Sequence, residues 1–172
     1  ARARAPLRGP AANASSALVL KDRRLPATTS RALVARRRLS DQYAQIAKLT
    51  AADAAAGDEF GFSVAIDGDT IVVGAHSKEA AYLFRTTDGG ATYDEVAKLT
   101  ASDAAADDLF GYSVAIDGDT IVVGARFDDD DGTKSGSVYV FRTTDGGATY
   151  GQVAKLTASD AAAGDDFGIS VA

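Results

Sequence analysis

Sixteen residues, FGFSVAIDGDTIVVGA, begin at Phe60 and return fifty residues later at Phe110 with one change, Phe62 to Tyr112. A chain that writes one apolar pattern twice must bury it twice, each time against a surface of matching shape. Shorter echoes carry the period further. The tetrapeptide AKLT starts at Ala47, Ala97 and Ala154, and Phe-Gly pairs start at Phe60, Phe110 and Phe167. The second spacing is seven residues longer than the first. The extra length falls in one place, where GAHSKEAAYLF becomes GARFDDDDGTKSGSVYVF. Self-similarity at this period is the signature of a repeat architecture, in which one supersecondary unit cannot cover its own apolar faces alone.

Each unit divides into four short strands. The first runs from Phe60 to Ile66, with Phe60, Phe62, Val64 and Ile66 alternating with Gly61, Ser63 and Ala65. That two-residue period belongs to a strand, not a helix. Asp67-Gly68 then marks a tight hairpin, for which Asp-Gly suits a type I′ turn. TIVVGA follows, apolar on both faces, which predicts burial on both. AAYLF or SVYVF is the third strand, and VAKLT is the fourth. Between the third and fourth lies TTDGGATY, at Thr86–Tyr93 and Thr143–Tyr150. It resembles the Asp-box hairpin of sialidase-like propellers. Asp88 and Asp145 are expected to accept backbone N–H groups while the paired glycines take positive φ. The motif closes a turn on itself, so a structural role is expected in preference to sugar handling.

Taken together, Phe60-Gly61, Gly74-Ala75, YLF and AKLTASD resemble the FG-GAP repeat of integrin-α-like β-propellers. The second unit matches at Phe110-Gly111, Gly124-Ala125 and SVYVF. The likeness covers residues 41–172. It departs at the Pro of "GAP", where His76 and Arg126 stand. The resemblance implies an all-β fold: a partial β-propeller of four-stranded antiparallel blades packed face to face. Blades are expected at about 60–100 and 110–157. The fourth strand of a preceding blade would come before them, and the start of a further blade at 167–172 would follow. The rest of the propeller is expected from sequence outside this chain. A solenoid or sandwich of the same strands is the structural alternative.

Charge divides the chain. Residues 1–40 carry nine Arg and one Lys against Asp22 alone; residues 41–172 carry eight basic and 23 acidic residues. So sharp a change marks a boundary near Ser40. The basic stretch is expected to be a disordered leader. Its composition is shared by organelle-targeting segments, and a mis-assigned gene start is the alternative origin. Asn13-Ala14-Ser15 forms a three-residue glycosylation sequon. The acidic repeat region offers no footprint for nucleic acid. With no Cys there is neither a disulfide framework nor a thiolate metal site, and no apolar run is long enough for a membrane span. The chain has no Met and breaks off inside a third copy of the repeat, so a processed product or a fragment is expected.

The chemistry-bearing residues are few. Integrin-type units often place a calcium loop between strands one and two. Here Asp67, Gly68 and Asp69 leave too little chain to wrap a cation that takes six to eight oxygens. The better candidate for calcium, the one cofactor the sequence offers, is Asp128, Asp129, Asp130 and Asp131. Four adjacent carboxylates repel one another, and a divalent cation or water would relieve them. Asp103, Asp107, Asp108, Asp160, Asp165 and Asp166 in the linkers are expected as solvated caps of short helical turns. The single His76 is expected at a surface strand end. After residue 40 the only Arg are Arg85, Arg126 and Arg142, too few for a carboxylate clamp. No catalytic set stands out, although carboxylate pairs are plentiful. The expected function is a non-enzymatic interaction or adhesion module that binds protein or glycan through rim loops. The family likeness implies an extracellular or cell-surface setting. The alternatives are a non-catalytic slice of a sialidase-like, glycan-active propeller enzyme and a purely architectural repeat.

Overall fold

A computed structural model describes residues 45–172, and the basic leader and its sequon lie outside the described residues. Eight strands form two antiparallel sheets, each ordered as in sequence. The first holds β1 (Val64–Asp67), β2 (Thr70–Ala75), β3 (Ala80–Arg85) and β4 (Asp94–Leu99). The second holds β5 (Phe110–Asp117), β6 (Thr120–Ala125), β7 (Ser137–Arg142) and β8 (Gly151–Leu156). The two sheets are the repeat units, and they are propeller blades. No α-helix is present among the described residues.

The blades repeat down to their irregularities. Both shift register between the third and fourth strands, at Leu83/Phe84 and at Val140/Phe141. The hairpin turn differs from expectation. Asp67 pairs with Thr70, so Asp67 ends the strand and the loop is Gly68-Asp69. Only Gly68 has positive φ, at 52°. That is the demand of a type II′ turn, with Gly at the first central position, and not of I′. Gly118-Asp119 repeats it, with Gly118 at 54°.

Strand faces sort the side chains between blades. Val72, Ala81, Leu83 and Leu99 of the first blade share one cluster with Phe110, Val114, Ile121, Val123 and Phe141 of the second. The opposite face of the first blade, Val73, Ala75, Tyr82 and Phe84, packs with Leu49, Ala51 and Phe60. The neighbour decides the environment: Val114 on β5 is 5% exposed, whereas its counterpart Val64 on β1 is 59% exposed. The same contrast explains why β1 starts four residues later in its unit than β5. Phe110–Ser113 is held against the first blade, with a bulge between Phe110 and Ser113. Toward β2, residues 60–63 keep just two backbone bonds, from Gly61 N–H to Gly74 C=O and from Gly74 N–H to Ser63 C=O.

The glycines of the repeat are joint residues. A Cβ on Gly74 would collide with the Gly111 carbonyl, and one on Gly124 with the Gly168 carbonyl. Gly111 and Gly168 have φ of 93° and 84° and press on the backbone carbonyls of Ala80 and Ser137. The second and third FG thus each dock on the GA of the unit before, at a distance only glycine permits. Ser63 Oγ accepts the Val114 N–H at 3.1 Å, and Asp67 Oδ2 accepts the Gly118 N–H at 2.7 Å across the same joint.

Two flanking strands expected from the sequence are not formed. Gln45–Thr50 carries the fourth-strand pattern but has no strand partner among the described residues. Residues 167–172 make one parallel bridge, Phe167 to Gly136. A strand is defined by its ladder, so the right side-chain pattern without a neighbour leaves only extended chain. The linkers are not helical either. Asp58, Asp108 and Asp165 each accept the N–H three residues earlier, closing non-helical turns.

Candidate functional site

The seven-residue insertion between β6 and β7 is where the units differ most, and it builds the rim of the second blade. Asp128 is 3% exposed. It accepts the Tyr139 hydroxyl at 2.7 Å and lies 2.9 Å from Lys155 Nζ. Lys155 also pairs with Asp130, and with Asp103 at 2.8 Å. Burial works against the charge on Asp128, but Tyr139 and Lys155 outweigh it and hold the carboxyl below its ordinary range. Burial likewise opposes the Lys155 ammonium, yet its three carboxylates and Tyr139 drive its pKa upward. One lysine therefore stands where the clustered charge calls for a cation. Asp129 caps the Lys134 N–H. The Asp131 carboxylate has no hydrogen-bond partner among the described residues. The four adjacent aspartates are not gathered round one point, and no three acidic or His side chains among the described residues converge as metal ligands.

The insertion is fastened rather than free. The carbonyls of Thr133, Lys134 and Ser135 accept the N–H groups of Gly164, Asp166 and Phe167. The first unit solves the same problem with one side chain: Glu79 accepts the Leu109 N–H at 3.0 Å and the Phe110 N–H at 2.6 Å. Burial raises the pKa of Glu79, against the pull of those two N–H groups. Between insertion and linker runs a groove of about 420 Å³ lined by Asp107, Leu109, Phe127, Asp129, Thr133 and Lys134. A smaller hollow of about 260 Å³ adjoins it over Asp103, Asp108 and Asp130. Lys134 Nζ sits 4.1 Å from the Phe127 ring centroid, and the Arg126 guanidinium sits 4.4 Å from it.

The other singled-out residues fall into supporting roles. Asp88 accepts the N–H of Ala91 and of Thr92 and the hydroxyls of Thr86 and Thr92. The Thr92 N–H and hydroxyl, with Thr86, pull its pKa down to about 2. Asp145 is bonded in the same way to Thr143 and Thr149, and its pKa falls further. Phe60, Gly74, Ala75, Phe110, Gly111, Gly124 and Ala125 sit at the blade joint or in the clusters beside it, whereas Gly61 is exposed, with nothing packed against it among the described residues. His76 is not a surface residue. It is 8% exposed, edge-on to Phe62 at 4.4 Å, with Nε2 2.6 Å from the Glu59 carboxylate. Asp103 is not a solvated cap but a partner of Lys155, and Asp166 pairs with Arg126 at 2.9 Å.

Sequence reasoning assigned no role to Lys155, Tyr139 or Glu79, and none to Arg85 beyond its place in the arginine tally. The signal for Lys155 was present. It is the lysine of AKLT, and Lys98 at the same position pairs with Asp53 while Tyr82, the counterpart of Tyr139, bonds that carboxylate too. Arg85 reaches from the first blade to the Gly146 carbonyl of the next hairpin at 2.6 Å. No local pattern announces that contact.

A family model described as "FG-GAP repeat" matches residues 43–93, 93–141 and 150–172. Comparison with curated proteins finds no match. Among solved structures, the chain is similar to Sqt1 of Saccharomyces cerevisiae, with 14% identity and a TM-score of 0.43. That alignment covers 62% of this chain and 25% of the other, so the chain spans about a quarter of that structure's length.

Proposed function

The chain belongs to the FG-GAP repeat family, and from that footing we propose that it is a non-enzymatic β-propeller module that binds a protein or glycan through the rim of its second blade. One observation carries this reading. The two units agree nearly everywhere and spend their shared residues on blade packing, and they differ at the insertion. Of the side chains the insertion leaves exposed, Asp131 and Thr133 make no side-chain hydrogen bond among the described residues, and Lys134 only lies over the Phe127 ring. Recognition then works as it does on other rigid scaffolds, with a frame that repeats and a loop that varies. The loop is already fastened at both ends, so little ordering entropy is lost on binding. The proposed setting is extracellular or on the cell surface. No helix among the described residues is long and apolar enough to cross a membrane.

The test is a glycan array and a panel of purified ectodomains, each probed with the wild-type chain and with a triple variant, Asp131→Ala, Thr133→Ala and Lys134→Ala. The reading expects specific binding that the triple variant loses while its thermal unfolding stays unchanged. Binding that survives the triple change moves the site elsewhere. Turnover of a fluorogenic glycoside would overturn the non-enzymatic role.

A further inference from the structure

Five Asp-Gly steps occur in the chain: Asp67-Gly68, Asp88-Gly89, Asp117-Gly118, Asp131-Gly132 and Asp145-Gly146. Each is a place where the backbone can rearrange without an enzyme. Glycine presents no Cβ, so its amide nitrogen can reach the aspartyl side-chain carbon. A bond forms from that nitrogen to Cγ. One carboxyl oxygen leaves as water, taking the amide proton and the acid proton, and a five-membered succinimide remains. Water then opens the ring at either carbonyl. Opening at the main-chain carbonyl routes the backbone through the side chain, giving isoaspartate of unchanged mass with one extra methylene in the main chain. The cycle consumes and returns one water and needs no other reactant.

Four of the five steps are guarded. The Asp88 and Asp145 carboxylates are immobilised by their threonine hydroxyls and backbone N–H groups. Asp67 is held by the Gly118 N–H at 2.7 Å. That same bond guards Asp117-Gly118, because the nucleophile there is the Gly118 nitrogen. Asp131 differs. It is exposed, its carboxylate is unpartnered among the described residues, and it lies in a loop outside any ladder. The Gly132 N–H makes only a 3.2 Å bond to the Asp129 carbonyl.

We propose that Asp131 is the site at which this protein forms isoaspartate. The consequence follows from position. The added methylene enters the main chain two residues before Thr133, whose carbonyl begins the run that holds Gly164, Asp166 and Phe167. Isomerisation would shift that run and loosen the clamp between the second blade and the linker after it.

The test ages the full chain at neutral pH and body temperature, folded in buffer and unfolded in urea. Peptide maps then locate isoaspartate by enzymatic methyl transfer. In the folded chain the Asp131 peptide should lead the other four several-fold, and in urea the five should converge. Asp131→Glu should remove the leading product without changing thermal unfolding. A folded chain in which another Asp-Gly peptide reacts as fast, or in which the Asp131 peptide stays unmodified while urea exposes all five, overturns the proposal.

Discussion

Ser137 stands where the first unit has Ala80, and its hydroxyl is fully buried without a hydrogen-bond partner among the described residues. An unpaired buried hydroxyl costs about 1 kcal/mol or more. Ser137→Ala, which restores the residue of the twin unit, is therefore expected to leave stability unchanged or raise it by about 1 kcal/mol, read from urea unfolding. Asp53 and the hairpin aspartates Asp88 and Asp145 act in the opposite sense. Lys98 and Tyr82 hold Asp53 at about 2, the threonine bonds hold Asp88 at about 2, and Asp145 lies lower still. Folded-state values below the ordinary carboxyl range, near 3.9, mean that these groups stabilise the fold fully above about pH 4. That stabilisation is lost as pH falls from about 4 through about 2. Circular dichroism across this window should show an acid transition, and Asp88→Asn together with Asp145→Asn should make it shallower. An unchanged transition in the double variant would assign acid sensitivity to other carboxylates.

Elements were legible in the sequence wherever local pattern decides them. The two-residue alternation, the apolar TIVVGA and the repeated TTDGGATY point to the four-strand unit, but the expected first strand begins four residues before β1 and its hairpin turn falls one residue early. What escaped depended on residues far along the chain. The late start of β1 reflects the absence, among the described residues, of a blade face like the one β5 lies on. The role of Gly74 is set by Gly111, thirty-seven residues later, and no turn or local φ demands it. Gly74→Ala tests that joint. Its Cβ would strike backbone rather than a side chain that can swing away, so a loss on the order of 3 kcal/mol is expected. Gly151→Ala, where a Cβ meets nothing, should be nearly silent. The insertion was legible as an acidic loop, but its charge balance was not, because Lys155 lies nineteen residues beyond Gly136.

At the scale of the whole molecule the repeat is a way of hiding apolar surface. The second blade covers its inward valine on the first, while Val64 and Ile66 remain 59% and 63% exposed. Leu156 is 46% exposed where its twin Leu99 is 4% exposed. Exposed apolar faces beside open strand edges favour association. Sedimentation at micromolar concentration is expected to show oligomers that Val64→Lys with Ile66→Lys reduces; a monomer in the wild-type chain would contradict this. The central claim is that the duplicated units lie face to face, with the FG of one on the GA of the other. Nuclear Overhauser contacts test it most directly. The claim predicts contacts from the Gly74 α-protons to the Val114 methyls, with no cross-strand α-proton pairs linking β4 to β5. A continuous ladder of such pairs between β4 and β5, with no Gly74–Val114 contact, would contradict it.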